Sequence, residues 1–159
     1  MRPVGFGAAL GLALAVALSL AEAPLPSPAA GPGGVDCGTA PIAEGHIFEG
    51  EVNRQGRLVG FHHVGAHRDR IVRVLRGPNA LGVYEAEFRA FGKLKRSTFF
   101  PDAWTRERVL AAIREACSAA GPPRDGRLIG RTPKGLRIQM YLDGSGGIAT
   151  AFPLYERSP

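Results

Sequence analysis

Residues 83–91 read VYEAEFRAF, and their alternation sets the fold class. Tyr84, Ala86, Phe88 and Ala90 fall on one face and Glu85, Glu87 and Arg89 on the other, the two-residue period of a half-buried strand. Pro78 and Gly82 bound the run upstream. Gly92 marks a turn, and residues 93–100 are predicted to return as the next strand. Further upstream, residues 70–76 (RIVRVLR) alternate in part, and residues 57–64 follow a turn at 53–56. Both read as short strands. Residues 40–51 fit either a short helix or an extended segment, and periodicity does not choose.

Downstream of this block one helix is clear. Thr105 is a capping residue, Glu107 suits the first turn, and Gly121–Pro122 ends the run. Val109, Ala112, Ile113 and Ala116 form its apolar stripe, and Trp104 is expected to pack beneath the cap. The last third reads as a meander, with strands at 128–131, 136–142 and 148–155 and turns at 133–135 and 143–147. No internal repeat is visible. The pattern is α+β, with antiparallel β-sheets and a few packed helices.

The N-terminal stretch has a different composition. Arg2 precedes an almost wholly apolar run over residues 4–20, and Ser19 and Ala21 satisfy a small-x-small cleavage rule. Residues 1–21 therefore read as a signal peptide, giving a secreted protein with no membrane segment in its mature form. A retained membrane anchor is the competing reading, but about 17 apolar residues is short for a span. Residues 22–35 are rich in proline and glycine and read as a flexible linker. Residues 36–159 are then a single folded domain.

The 159-residue chain carries a net charge of +6. Removal of residues 1–21, which contain one arginine and no acid, leaves about +5. That balance favours anionic partners without selecting one. There are two cysteines, Cys37 and Cys117. In an exported chain they fit one disulfide, joining the start of the domain to the end of the helix. Two cysteines so far apart do not suggest a zinc site.

All four histidines lie between positions 46 and 67, in GHIFEG (45–50), GFHH (60–63) and at His67. Imidazoles titrate near neutrality, so two in one cleft can serve as base and acid in the same reaction. With a lysine beside them, such a pair can cut RNA. One ring takes the 2′-hydroxyl proton, the other protonates the departing 5′-oxygen, and the ammonium offsets charge on the phosphoryl oxygens. A metal reading competes through His62, His63, His67 and Asp69. On a strand, however, His62 and His63 face opposite ways, Gly65 argues against a helix, and HEXXH is absent.

Taken together, GHIFEGEVNRQGRLVGFHH, STFFPDAW, GRTPKGLRI and TAFPLY resemble the bacterial EndoU nuclease domain over about Gly45 to Tyr155. The resemblance implies an EndoU-like fold and a metal-independent endoribonuclease that needs no cofactor and leaves 2′,3′-cyclic phosphate ends. Residue by residue it implies His62 as general base, His46 as general acid and Lys95 as the catalytic lysine, with Lys93 as the other candidate. The backbone at Gly60 and Phe61 is a candidate phosphate holder, and His63 and Lys134 are further candidates for substrate contact. The family order Thr-x-Tyr-Pro appears as Thr150-Ala151-Phe152-Pro153. Thr150 is expected to bond a base or phosphate. Phe152 keeps a ring for stacking but lacks the family hydroxyl, which puts the usual preference for uridine in doubt. The implied partners are RNA, with tRNA among the candidates, and an immunity protein that restrains a toxin. A monomer is expected. A non-catalytic RNA- or polyanion-binding protein on the same fold is the alternative.

Overall fold

The computed structural model describes residues 35–157. The expected signal peptide and all but the last residue of the expected linker lie outside the described residues. Val35, that last residue, is buried. In chain order the elements are α1 (Glu44–Phe48), β1 (Glu51–Val52), β2 (Leu58–Val59), β3 (Ile71–Arg76), β4 (Tyr84–Ala90), β5 (Lys93–Phe99), α2 (Arg106–Ser118), β6 (Arg127–Arg131), β7 (Arg137–Leu142) and β8 (Ile148–Pro153). The protein is α+β. Strand pairing within the sheets is antiparallel, in the orders β1-β2, β3-β4-β5 and β6-β7-β8.

Each three-stranded sheet has its own apolar layer. The alternating face of β4 buries Tyr84, Ala86 and Phe88, which pack with Phe99 of β5 and with Leu58, Phe61 and Val64. Helix α2 begins where Thr105 Oγ1 accepts from the Arg108 amide at 3.2 Å. Its stripe of Val109, Ala112, Ile113 and Ala116 is fully buried against Leu128, Ile138, Met140 and Ile148 of the second sheet. Gly130 allows that approach, because a Cβ there would lie 1.6 Å from the Ala116 carbonyl oxygen. Trp104 packs partly buried against the same core, its ring stacked on Phe100.

The predicted disulfide is present between Cys37 and Cys117. Arg114 adds bonds to the Cys37 and Ala40 carbonyls at 3.0 and 3.2 Å. The chain then runs along β8, with Ala43 N donating to Ile148 O and Ile148 N to Pro41 O. That edge contact carries α1 to the place where the two sheets meet.

The main departure from the sequence reading is at 57–64. Only Leu58–Val59 pairs as a strand. Gly60 and Phe61 then adopt φ of 73° and 60°, in the left-handed region that breaks a strand. The break is held from outside: Phe61 N donates to His46 O at 2.9 Å and His62 N to Ile47 O at 2.7 Å. Those bonds use the carbonyls of α1, a helix too short to use them internally.

Candidate active site

Three consecutive aromatic residues leave this break in three directions. Phe61 enters the core of the first sheet and packs on Phe88 and Phe99. His63 turns the other way, edge-on to Phe48. Between them His62 faces a cleft of about 660 Å³, whose walls also include His46, Gly60, Lys95, Thr150 and Phe152.

His62 is buried, and its surroundings fix its tautomer. Nδ1 lies 3.1 Å from the Thr98 carbonyl oxygen and 2.9 Å from Ser97 Oγ. A carbonyl can only accept, so Nδ1 carries the hydrogen and Nε2 keeps the lone pair. Burial pushes the His62 pKa down to about 3. The Thr98 carbonyl opposes this, while the nearby positive charges of Lys95 and His46 add to it. The ring is therefore neutral at pH 7, with a free acceptor nitrogen. Phe152 stacks on it at 5.1 Å between centroids.

His46 comes from α1 and meets a different partner. Its Nδ1 donates to Glu51 Oε1 at 2.9 Å, which orients the ring and leaves Nε2 without that partner. Lys95, on β5, donates to the Gly60 carbonyl at 3.2 Å, and burial lowers its pKa. Thr150 Oγ1, on β8, is buried without a hydrogen-bond partner although its residue lines the cleft. An unpaired buried hydroxyl carries a desolvation cost that a ligand can relieve.

Of the residues singled out from sequence, His46, His62, Lys95, Thr150, Gly60 and Phe152 come together in this cleft. Others are elsewhere. The amide of Phe61 is already bonded to His46, and its ring lies in the core. His63 is buried on the far side, where neither ring nitrogen makes a hydrogen bond of ordinary geometry, although the Pro101 and Trp104 backbone lies near. Lys93 is exposed and is not part of the cleft wall. Lys134 lines a separate hollow with Trp104 and Arg108. The set weighed for a metal is dispersed, since His62 faces the cleft and His67 pairs with Glu49 at 2.8 Å. Two contacts escaped the sequence reading. Glu51 was visible only as an acid five residues after His46, and Ser97 only as a residue two after Lys95 on an alternating strand.

A small α+β domain with two imidazoles and an ammonium in one cleft is of the class equipped to handle an anion by proton transfer. The family model described as bacterial EndoU nuclease matches residues 42–155, and the chain belongs to that family of nucleases. A Bacillus cereus protein named Toxin is 32% identical over 117 residues, which cover 68% of this chain and 21% of that protein. The chain thus spans about a fifth of the length of this curated relative. No solved structure gives a significant match.

Proposed function

We propose that the domain is a metal-independent endoribonuclease. His62 Nε2 takes the proton of a ribose 2′-hydroxyl, and that oxygen attacks the adjacent phosphorus. The bond to the 5′-oxygen breaks as His46 Nε2 gives up a proton to it. The products are a 2′,3′-cyclic phosphate and a 5′-hydroxyl. Lys95 offsets the charge that builds on the non-bridging oxygens. Thr150 offers its unpaired hydroxyl to the substrate, and Phe152 offers a ring edge or face to the base or ribose.

One observation carries this reading: two histidines with opposite hydrogen-bonding environments share one cleft with a partly buried lysine. Membership of the nuclease family supports it. We further infer that the protein is exported through its N-terminal signal, acts as a monomer on cellular RNA such as tRNA, and is countered by an immunity protein. The name of the Bacillus cereus relative supports the toxin role.

The test is incubation of the purified protein with end-labelled RNA in EDTA. Cleavage to cyclic-phosphate ends, abolished in His46→Ala and in His62→Ala, is expected. Binding without cleavage would instead make this a polyanion-binding member of the fold. Activity that vanishes in EDTA would replace the proposal with metal-dependent hydrolysis. Growth arrest on expression without residues 1–21, relieved by a co-expressed neighbouring gene, tests the toxin and immunity roles.

A further inference from the structure

The outer face of the β3-β4-β5 sheet is built from two cross-strand rows. Arg73 on β3 and Arg96 on β5 both stand opposite Glu87 on β4. In the next row Arg76 and Thr98 stand opposite Glu85. Arg76 and Arg96 both pair with the same Glu85 oxygen, and Arg73 pairs with Glu87 at 3.1 Å. Three guanidiniums thus share two carboxylates.

The exposures are unequal in a telling direction. The side chain of Glu85 is 13% exposed and that of Glu87 is 27%, whereas Arg73, Arg96 and Arg76 are 66%, 56% and 43% exposed. The acids lie underneath and the guanidiniums lie on top. Each arginine has five N–H donors, and pairing with a carboxylate uses only some of them. Arg76 is also held over the Tyr155 ring at 5.3 Å. Anchored arginines lose less side-chain freedom on meeting a phosphate than free ones do. The face is continuous with the cleft, because Glu85, Arg96 and Thr98 belong to its wall.

We propose that this face extends the cleft as a phosphate-binding surface, which holds the backbone of a single RNA strand where the strand runs out of the cleft. This rests on the nuclease reading for the identity of the polymer. It adds a place for nucleotides beyond the one being cut, and it makes affinity depend on strand length and on salt. A protein partner would have to match alternating charge. A strand needs only the outward donors, and the link to the cleft favours it.

The test is binding of a fluorescent single-stranded 2′-deoxy octanucleotide, which lacks the attacking hydroxyl and cannot be cut. Arg73→Ala with Arg76→Ala should weaken binding about fivefold, and the log–log salt slope should become shallower by about 0.7 for each phosphate that is no longer neutralised. Arg73→Gln with Arg76→Gln, which keeps length and some hydrogen bonding, should give the same weakening if the alanine pair folds poorly. Arg124→Ala, an exposed arginine elsewhere, should not. Native affinity and native slope in a folded double variant overturn the proposal and leave the rows to a protein partner. The nuclease reading fails separately: octanucleotide binding that responds as described, with no cleavage of the matching RNA, removes the enzyme and keeps the surface.

Discussion

Gly60→Ala should cripple the cleft through the backbone alone. At φ 73° the native residue already occupies a region that costs an L-residue about 1–2 kcal/mol. The added Cβ would stand 2.0 Å from the His46 carbonyl oxygen, where ordinary contact begins near 3.4 Å. The two segments must therefore part by about 1.4 Å, the difference of those distances. Such a retreat breaks the bonds from Phe61 N to His46 O and from His62 N to Ile47 O, at about 1 kcal/mol each. The sum is about 3–4 kcal/mol, or a fall in melting temperature of about 10–15 °C for a domain of this size. It also separates the two imidazoles, and a displacement of about 1 Å can cost about a hundredfold in rate. The assay is a circular-dichroism melt together with initial cleavage rates well below both melting points. Gly130→Ala is the control, because its Cβ meets the Ala116 carbonyl at 1.6 Å in the contact between α2 and β6. It should melt early but keep the native rate per folded molecule. A Gly60→Ala protein with native melting and native rate would refute the reasoning. Equal activity loss in Gly130→Ala would show that destabilisation, not cleft geometry, is responsible.

Acid should destabilise the protein before its carboxylates protonate. The His62 pKa is about 3 folded against 6.5 unfolded, so the unfolded chain binds the extra proton between those values and stability falls as pH drops below 6.5. At pH 5 the loss from this group is about 2 kcal/mol, with a further loss of the same sign from buried His63. Equal urea midpoints at pH 7 and pH 5 would contradict this. Glu51→Gln should lower kcat by about ten- to a hundredfold while moving stability by less than about 1 kcal/mol, since the pair with His46 is largely exposed on the Glu51 side. A changed KM with native kcat would place Glu51 in binding instead. Lys95→Met should cost about 10²–10³ in kcat, and Lys93→Ala less than about twofold. Similar losses in both variants would mean that general basicity, not position, matters.

Much of the fold is legible where one local rule acts alone. The alternation of β4, the Thr105 cap and the apolar stripe of α2 each gave the observed element, and so did the glycine-rich turns of the final meander. The cleft is less legible because long-range bonds build it. The run 57–64 has strand-like composition, yet carbonyls from α1 hold Gly60 and Phe61 in conformations that end the strand. The doublet His62–His63 gives no local sign of which ring meets the cleft. That is decided by the two apolar layers on either side. Lys93 and Lys95 share a strand face by alternation, so their distance along β5 from the 60–62 segment distinguishes them. No local pattern places an alternating strand opposite an arginine pair, and the rows beside the cleft emerge only from the strand register.

The Cys37–Cys117 cross-link bears unequally on the two histidines. It secures the leading end of the segment that runs through Ala43 into α1, and hence the approach to His46. His62 bonds to α1 through its amide and has a second hold along the margin of β5, through Thr98 and Phe100. Opening the cross-link therefore removes one restraint on the approach to His46, whereas the bonds between His62 and β5 do not run through it. In thiol form the chain would lack that one covalent tether on the His46 side of the cleft and keep the rest of its bonding.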